Sequence, residues 1–216
     1  MDERGTVQDR PDVAQTGGDR ETSPQRPLSP AERKVTLVAL NAQYIHTPAA
    51  IRSLAAHCGD EMALQCLSFT INEDFDKTLE ALYRRRSPVM GFSCYIWNIE
   101  RVLQLAQALC AMDDSLCILL GGPEVSYDGP ALLKEHPFLA GVICGEGEEP
   151  FRAFVDAFYG DQRWEKVPSL CYRERGEVRQ NDLAAPLPGA VIPLAYDMDD
   201  LPPPPQILYY ESSRGC

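Results

Sequence analysis

Residues 116–123 of the chain read LCILLGGP, a short apolar run that ends abruptly in two glycines and a proline. Apolar and polar residues do not alternate within the run, which is typical of a strand that is buried on both faces of a sheet. Four further runs of this kind lie at residues 35–40, 62–71, 88–95 and 140–144. The sequence therefore predicts five buried strands.

Helical periodicity fills the segments between these runs. Pro48 can open the first helix, where a missing N–H is tolerated, and Asn98 can cap the third. Residues 74–86 carry apolar side chains at helical spacing, and shorter helices are expected near residues 130–136 and 150–159. Strands that alternate with helices predict an α/β fold with a five-stranded, parallel, doubly wound sheet and right-handed crossovers.

This domain is predicted to span residues 35–160, with different segments on either side. Residues 1–34 are polar, so they bury little apolar surface and are expected to form a disordered tail. Within residues 161–205, a β-hairpin that turns at a glycine precedes a proline-rich, semi-rigid spacer between domains. Residues 206–216 begin a new strand and then stop, which indicates an incomplete chain.

The 216-residue chain carries a net charge of −12, which disfavours nucleic acids and anionic membranes as partners. No apolar run approaches the roughly 20 residues that span a bilayer, and the N-terminus lacks the apolar core of a secretory signal. We therefore expect a cytoplasmic protein with neither kind of partner.

Eight cysteines occur, and no two of them have CxxC spacing. Seven are expected to be reduced and buried, acting as small hydrophobic residues, because most of them lie inside apolar runs. The eighth, Cys216, is the last residue of the sequence.

Ligands of open α/β sheets bind beyond the carboxyl ends of the strands, so the candidate site lies in the loops after strands one, three, four and five. These loops contain no GxGxxG motif, and the chain has no GxxxxGKS or GxxxxGKT phosphate loop. Asn41 and Ser93 stand where a phosphoacceptor domain needs acidic residues. The chain has three histidines and no spacing that suggests a Ser/His/Asp triad, so the sequence supports neither metal catalysis nor nucleophilic catalysis.

The features that are present favour a large, nearly flat ligand. Gly121 and Gly122 remove two side chains where strand four ends, so a bulky group can approach the backbone. Ser93 adds a small hydroxyl at the end of the neighbouring strand. A tight turn would explain the glycines alone, but together with Ser93 they favour a slot between strands.

These residues resemble the cobalamin (vitamin B12)-binding domain, a flavodoxin-like (Rossmann-type) fold in which the nucleotide tail of the cofactor threads between strands. Members usually carry DxHxxG after strand one, SxL or SxT at the end of strand three, and GG at the end of strand four. Ser93-Cys94-Tyr95 keeps the serine, and Gly121-Gly122 keeps the glycine pair. Residues 41–47, NAQYIHT, lack the aspartate and place His46 at a different spacing.

That departure is similar to the N-terminal domains of cobalamin-dependent radical SAM proteins, which commonly lack the histidine that ligates cobalt. The GGPE and GEGE sequences at residues 121–124 and 145–148 look like the same subgroup. Residues 209–216, YYESSRGC, resemble the first barrel strand of a radical SAM domain, whose CxxxCxxC motif binds a 4Fe–4S cluster. The resemblance implies that Cys216 is the first ligand of this cluster, and that the partner is the missing C-terminal radical SAM barrel of the same polypeptide.

The resemblance also implies a set of cobalamin-binding residues at the strand ends: Tyr44, His46, Thr47, Ser93, Cys94, Tyr95, Trp97, Gly121, Gly122, Pro123, Glu124, Gly145, Glu146 and Glu148. His46 either ligates cobalt or acts as an ordinary loop histidine. Tyr44 packs on the corrin or in the core. Tyr95, Ile96 and Trp97 form an apolar loop that covers either a ligand or the missing domain, and they are expected to line the face of the cobalamin. The three glutamates accept hydrogen bonds from corrin amides or cap helices.

The resemblance implies a binding module that holds base-off cobalamin over a barrel. In the intact enzyme, S-adenosylmethionine and the cluster would serve a radical reaction, most typically methyl transfer. The chain alone offers no catalytic residue. An alternative is a degenerate docking or regulatory domain without cofactor, which would be favoured if bulky side chains filled the slot between Ser93 and the glycine pair. A flavin or nucleotide site is weakened by the absence of a phosphate loop.

Overall fold

The computed structural model describes residues 27–191, 194–196 and 207–209. Seven strands occur in this part of the chain: β1 Lys34–Asn41, β2 Ala63–Thr70, β3 Val89–Ser93, β4 Cys117–Gly121, β5 Gly141–Ile143, β6 Leu170–Glu174 and β7 Glu177–Gln180. Five α-helices connect or flank them: α1 Ala49–Cys58, α2 Phe75–Arg84, α3 Ile99–Met112, α4 Gly129–Glu135 and α5 Glu148–Tyr159. Residues 1–26 of the expected tail and the terminal Cys216 lie outside the described residues, and a short 3-10 helix at Pro30–Glu32 precedes β1.

All seven strands form one sheet in the order β2-β1-β3-β4-β5-β6-β7. The first five are parallel, as predicted, and the strand order reverses between β1 and β3, which creates a switch point at the carboxyl edge. The predicted hairpin is present, but β6 pairs antiparallel with β5 and so extends the sheet. Arg175 and Gly176 form its turn, with φ angles of 51° and 80°.

The two faces of the sheet pack against different helices, because successive strand residues point to opposite sides. Met90 and Phe92 belong to the core shared with α2, α3 and α4, whereas Val89 belongs to the core shared with α1 and α5. In the second core, Phe151 and Phe154 of α5 are almost fully buried, and each stabilises the fold by about 1.5–3 kcal/mol. The same alternation places Gly91, Ser93 and Gly121 on the side of α1 and α5, here called the α1/α5 face.

Asn98 does not cap α3 with its side chain, contrary to the sequence-based expectation. Its carboxamide is buried, and Oδ1 accepts a hydrogen bond of 2.8 Å from the backbone N–H of Tyr95. Nδ2 donates to the carbonyls of Leu40 at 3.0 Å and Ser93 at 3.1 Å. Asn98 therefore ties the ends of β1 and β3 together at the switch point.

Six of the seven described cysteines are buried, as expected, but Cys66 is exposed on β2, so the prediction was wrong for that residue. β2 is the edge strand of the sheet and has a neighbour on one side only, which leaves alternate side chains uncovered. Among the described residues, no helix combines the length and apolar character needed to cross a membrane.

Candidate functional site

A cleft of about 1330 Å³ opens at the carboxyl edge of the sheet and extends between the sheet and helices α1 and α5. Its inner end meets the closely packed core of the α1/α5 face, where Leu37, Leu119, Ile51 and Phe151 are only 1–2% exposed. Such a cleft, apolar with few polar groups, has the composition of small-molecule and cofactor sites.

The floor of the cleft contains three small residues, Gly91, Ser93 and Gly121, and the last two form a slot at the strand ends. Ser93 and Gly121 are paired neighbours on β3 and β4. A Cβ atom at Gly121 would meet nothing closer than the Ile143 carbonyl oxygen at 3.8 Å, so the position is open. A Cβ at Gly91 would lie 2.9 Å from a Leu37 methyl group, so Gly91 lets the cleft walls approach each other. Leu37 and Phe151 thus pack over Gly91, whereas bulky side chains do not fill the space at Gly121.

The backbone conformation, and not the slot, requires glycine at position 122. Its φ of +112° is a conformation that residues with side chains rarely adopt, and a Cβ there would lie 2.5 Å from the Cys94 carbonyl oxygen. The two interpretations of the glycine pair therefore both apply, one to each residue: Gly122 makes the turn, and Gly121 keeps the slot open.

The three predicted glutamates are separated in the structure. Glu148 is buried in the cleft wall and accepts a hydrogen bond of 2.8 Å from Ser53 Oγ of α1. It lies in the first turn of α5, where a carboxylate is favoured by the helix dipole. Glu146 lines the cleft and accepts the backbone N–H of Leu187 at 2.9 Å. Glu124 is exposed and does not line the cleft.

The loop after β1 turns its predicted site residues away from the cleft. Thr47 is buried, and its Oγ1 lies 2.6 Å from the Tyr196 hydroxyl and donates to the Ile207 carbonyl at 2.8 Å. His46 Nδ1 is hydrogen-bonded to the Tyr209 hydroxyl. Tyr44 is 71% exposed. The partners Tyr196 and Tyr209 line the cleft in place of these three residues.

The loop after β3 contributes one aromatic ring to the cleft. Tyr95 lines the cleft and stacks on Trp97, with ring centroids 4.5 Å apart and planes within 7° of parallel. Burial raises the pKa of Tyr95, which keeps the phenol neutral. The Cys94 side chain belongs to the opposite core, where burial raises the pKa of its thiol to about 12. Cys94 therefore stays an uncharged core residue.

The structure thus brings together about half of the predicted site residues. The cleft is lined by Ser93, Tyr95, Gly121, Gly122, Pro123, Gly145, Glu146 and Glu148. It is not lined by Tyr44, His46, Thr47, Cys94, Trp97 or Glu124. Sequence reasoning missed Ser53, Phe151 and Tyr196. The first two are part of ordinary helix patterns, which carry no signal that distinguishes a cleft wall from a core.

An open slot at the carboxyl ends of β3 and β4, beside the switch point of a parallel doubly wound sheet, is typical of a cofactor-binding domain of the flavodoxin-like class. Comparison with known families agrees: residues 35–155 match the B12 binding domain. The chain therefore belongs to the B12-binding domain family, as the sequence motifs predicted.

Among curated proteins, an uncharacterized methyltransferase of Pyrococcus horikoshii is 23% identical over 172 residues, which are 73% of this chain and 36% of that protein. The cobalamin-dependent radical SAM methyltransferase TokK of Streptomyces tokunonensis is 28% identical over 101 residues, 46% of this chain and 15% of TokK. The chain thus spans well under half the length of these relatives.

Two solved structures share the fold. TsrM, a radical S-adenosylmethionine methyltransferase from Kitasatospora setae with cobalamin and a 4Fe–4S cluster bound, matches with a TM-score of 0.60 and 18% identity, over 76% of this chain and 31% of TsrM. The radical enzyme OxsB, with aqua-cobalamin and S-adenosylmethionine bound, matches with a TM-score of 0.59 and 17% identity, over 70% of this chain and 22% of OxsB.

Proposed function

We propose that this chain holds cobalamin in its base-off form, with the nucleotide tail in the cleft between the sheet and helices α1 and α5. The observation that carries the proposal is the open slot at Ser93 and Gly121 on the α1/α5 face. When bound, cobalamin supplies cobalt-centred methyl transfer, a chemistry that amino-acid side chains do not provide. The work of this chain is to bind the cofactor, orient it and exclude water.

The residues of the cleft fit a flat aromatic base on a sugar–phosphate tail. Leu54 of α1 and Tyr95 after β3 line the cleft and are only partly buried, so they offer apolar surface to the base, with the core residues Ile51 and Phe151 behind them. Ser93 can offer a hydroxyl, and the Ser53–Glu148 pair is a polar group in an otherwise apolar wall. The volume of about 1330 Å³ exceeds the range of roughly 300–1,000 Å³ that is typical of drug-sized ligands, as a larger cofactor requires.

His46 takes no part in holding cobalt in this proposal. Its Nδ1 is already hydrogen-bonded to Tyr209, and the residue does not line the cleft. His46 would therefore be held by Tyr209 and would not serve as a cobalt ligand. This agrees with the altered spacing of His46 relative to the ligating DxHxxG motif.

The intact protein would be a radical SAM methyltransferase, in keeping with the names of the relatives and with their greater length. Its radical SAM barrel would belong to the same polypeptide and bind S-adenosylmethionine and the 4Fe–4S cluster. Cys216, which lies outside the described residues, would be the first cluster ligand. The exposed Ile96 and Trp97, near the mouth of the cleft, would face the corrin or the barrel.

The test is binding of hydroxocobalamin by the 216-residue chain, followed by removal of free ligand and a visible spectrum. We expect retained cobalamin with a base-off spectrum, unchanged by His46→Ala. Gly121→Leu should abolish retention, because its side chain fills the slot while its Cβ meets no atom within 3.8 Å. Ala111→Leu, which adds the same bulk at an exposed position of α3, is the matched control. A folded wild-type chain that retains no cobalamin would overturn the proposal in favour of a docking domain.

A further inference from the structure

Three described stretches of the segment that follows the hairpin lie at the mouth of the cleft. We call residues 187–191, 194–196 and 207–209 the strap. From it, Leu187, Leu194, Tyr196, Leu208 and Tyr209 line the cleft. The sequence predicts this proline-rich region to be an extended spacer between domains, whereas the structure places the strap against the cleft.

A chain of hydrogen bonds fastens the strap to the loop after β1. Thr47 Oγ1 donates to the Ile207 carbonyl, so the Tyr196 hydroxyl must be the donor in its 2.6 Å contact with Thr47. The Tyr196 oxygen in turn accepts the backbone N–H of Tyr209 at 3.4 Å. The Arg52 guanidinium lies 5.2 Å from the centroid of the Tyr196 ring, within the range of a cation–π contact.

Backbone pairing reinforces these side-chain contacts. The Ile207 N–H donates to the Ile45 carbonyl at 2.6 Å, and the Thr47 N–H donates to the Ile207 carbonyl at 3.2 Å. At the other end of the strap, the Leu187 N–H donates to Glu146. The strap is therefore held at both sides of the cleft.

The strap forms a wall and does not plug the cleft. The volume of about 1330 Å³ is present with the strap in position, so its side chains leave the slot open. Leu194 and Leu208 nevertheless remain 76% and 44% exposed at the mouth. Apolar side chains that stay exposed beside an apolar cleft indicate a surface that a ligand covers.

Building on the proposed function, we propose that the strap is the outer wall of the cobalamin site and that the Tyr196–Thr47 hydrogen bond is its latch. The bound cofactor covers the apolar side chains of the strap, and the latched strap slows release of the cofactor. By reciprocity of linked equilibria, cobalamin also stabilises the position of residues 207–209, which lead toward the C-terminus. Cofactor loading and placement of the C-terminal segment thus support each other.

The test compares release of hydroxocobalamin from loaded wild-type chain and from Tyr196→Phe, with a second cobalamin-binding protein in excess as the trap. Loss of one hydrogen bond should speed release by about three- to tenfold. Thr47→Val should speed release at least as much, because it removes this bond and the one to the Ile207 carbonyl. Adding Tyr196→Phe to Thr47→Val should then speed release less than Tyr196→Phe does alone, since the shared bond is already lost. Tyr83→Phe, which changes a tyrosine of α2 on the other face of the sheet, is the control.

Chymotrypsin, which cleaves after leucine and tyrosine, gives a second readout. Cobalamin should protect the strap of the wild-type chain from cleavage, and protect that of Tyr196→Phe less. Unchanged release and protection in Tyr196→Phe, while Gly121→Leu still abolishes binding, would overturn the latch and leave the proposed function intact. Slower release from the variant would mean that the strap is a plug. Failure of the wild-type chain to bind cobalamin would end both proposals.

Discussion

At the scale of single residues, the neighbouring glycines 121 and 122 have different structural roles, and substitution of each by alanine distinguishes these roles. Gly122→Ala should lower the free energy of unfolding by about 1–3 kcal/mol or more, because φ is +112° and the new Cβ collides with the Cys94 carbonyl. Gly121→Ala should change it by less than about 1 kcal/mol, because its Cβ has room. Urea unfolding of both variants checks this, and equal losses would show that Gly121 is also a backbone requirement.

Glu148 and Glu149 provide a second comparison within one helical turn. Glu148→Ala should lower the free energy of unfolding by about 1–3 kcal/mol, because it removes a buried carboxylate that accepts from Ser53 Oγ. Glu149→Ala should cost less than about 1 kcal/mol, since the Glu149 side chain is 52% exposed and its contact with His57 is an exposed pair. The urea midpoints of the two variants measure these losses. A larger loss of unfolding free energy in Glu149→Ala than in Glu148→Ala would contradict a stabilising role of the buried Ser53–Glu148 pair.

At the scale of elements, Asp113 connects the end of α3 to the segment between α2 and β3. The hydrogen bonds from the Ser115 hydroxyl and from the Arg86 guanidinium lower the pKa of the Asp113 carboxyl. A depressed folded-state pKa contributes stability above the unfolded value of about 3.9, and this stability is lost as the pH falls through the folded value. Asp113→Asn should therefore cost about 1 kcal/mol at neutral pH and progressively less in acid.

Urea unfolding of wild type and Asp113→Asn at about pH 6 and about pH 3 measures this pH dependence. Asp114→Asn, at the exposed neighbouring position, is the control. A difference between wild type and Asp113→Asn that stays constant between the two pH values would mean that the carboxylate charge contributes nothing to the connection.

The parallel strands and their helices could be predicted because each is marked by its own local pattern. A fully buried strand such as β3 must be a continuous apolar run, and a two-faced helix must be periodic. Pairing of β6 with β5 depends on Leu170, Cys171 and Tyr172 being covered by other elements, so the sequence predicts the hairpin but not its place in the sheet.

The same distinction applies to the candidate site. Ser93 and Gly121 could be predicted because a slot at a strand end requires small residues in particular places. The bond between Thr47 and Tyr196 joins residues 149 positions apart, and nothing local to either residue specifies it. Prolines near the strap favour an extended chain, but extension alone does not determine which surface that chain covers.

At the scale of the whole molecule, the cleft is bounded by the sheet, by α1 and α5, and by the strap, so a ligand in it would contact elements from both halves of the chain. A ligand that binds only the folded state must stabilise all of them together. With free hydroxocobalamin at about 100 times its dissociation constant, the free energy of unfolding should rise by about 2.7 kcal/mol. Gly121→Leu should show no rise, whereas Ala111→Leu should respond as wild type does. Urea unfolding with and without the cofactor measures this rise in unfolding free energy. A rise in Gly121→Leu equal to that of wild type would show that cobalamin binds outside the slot, on a surface that remains when the slot is filled.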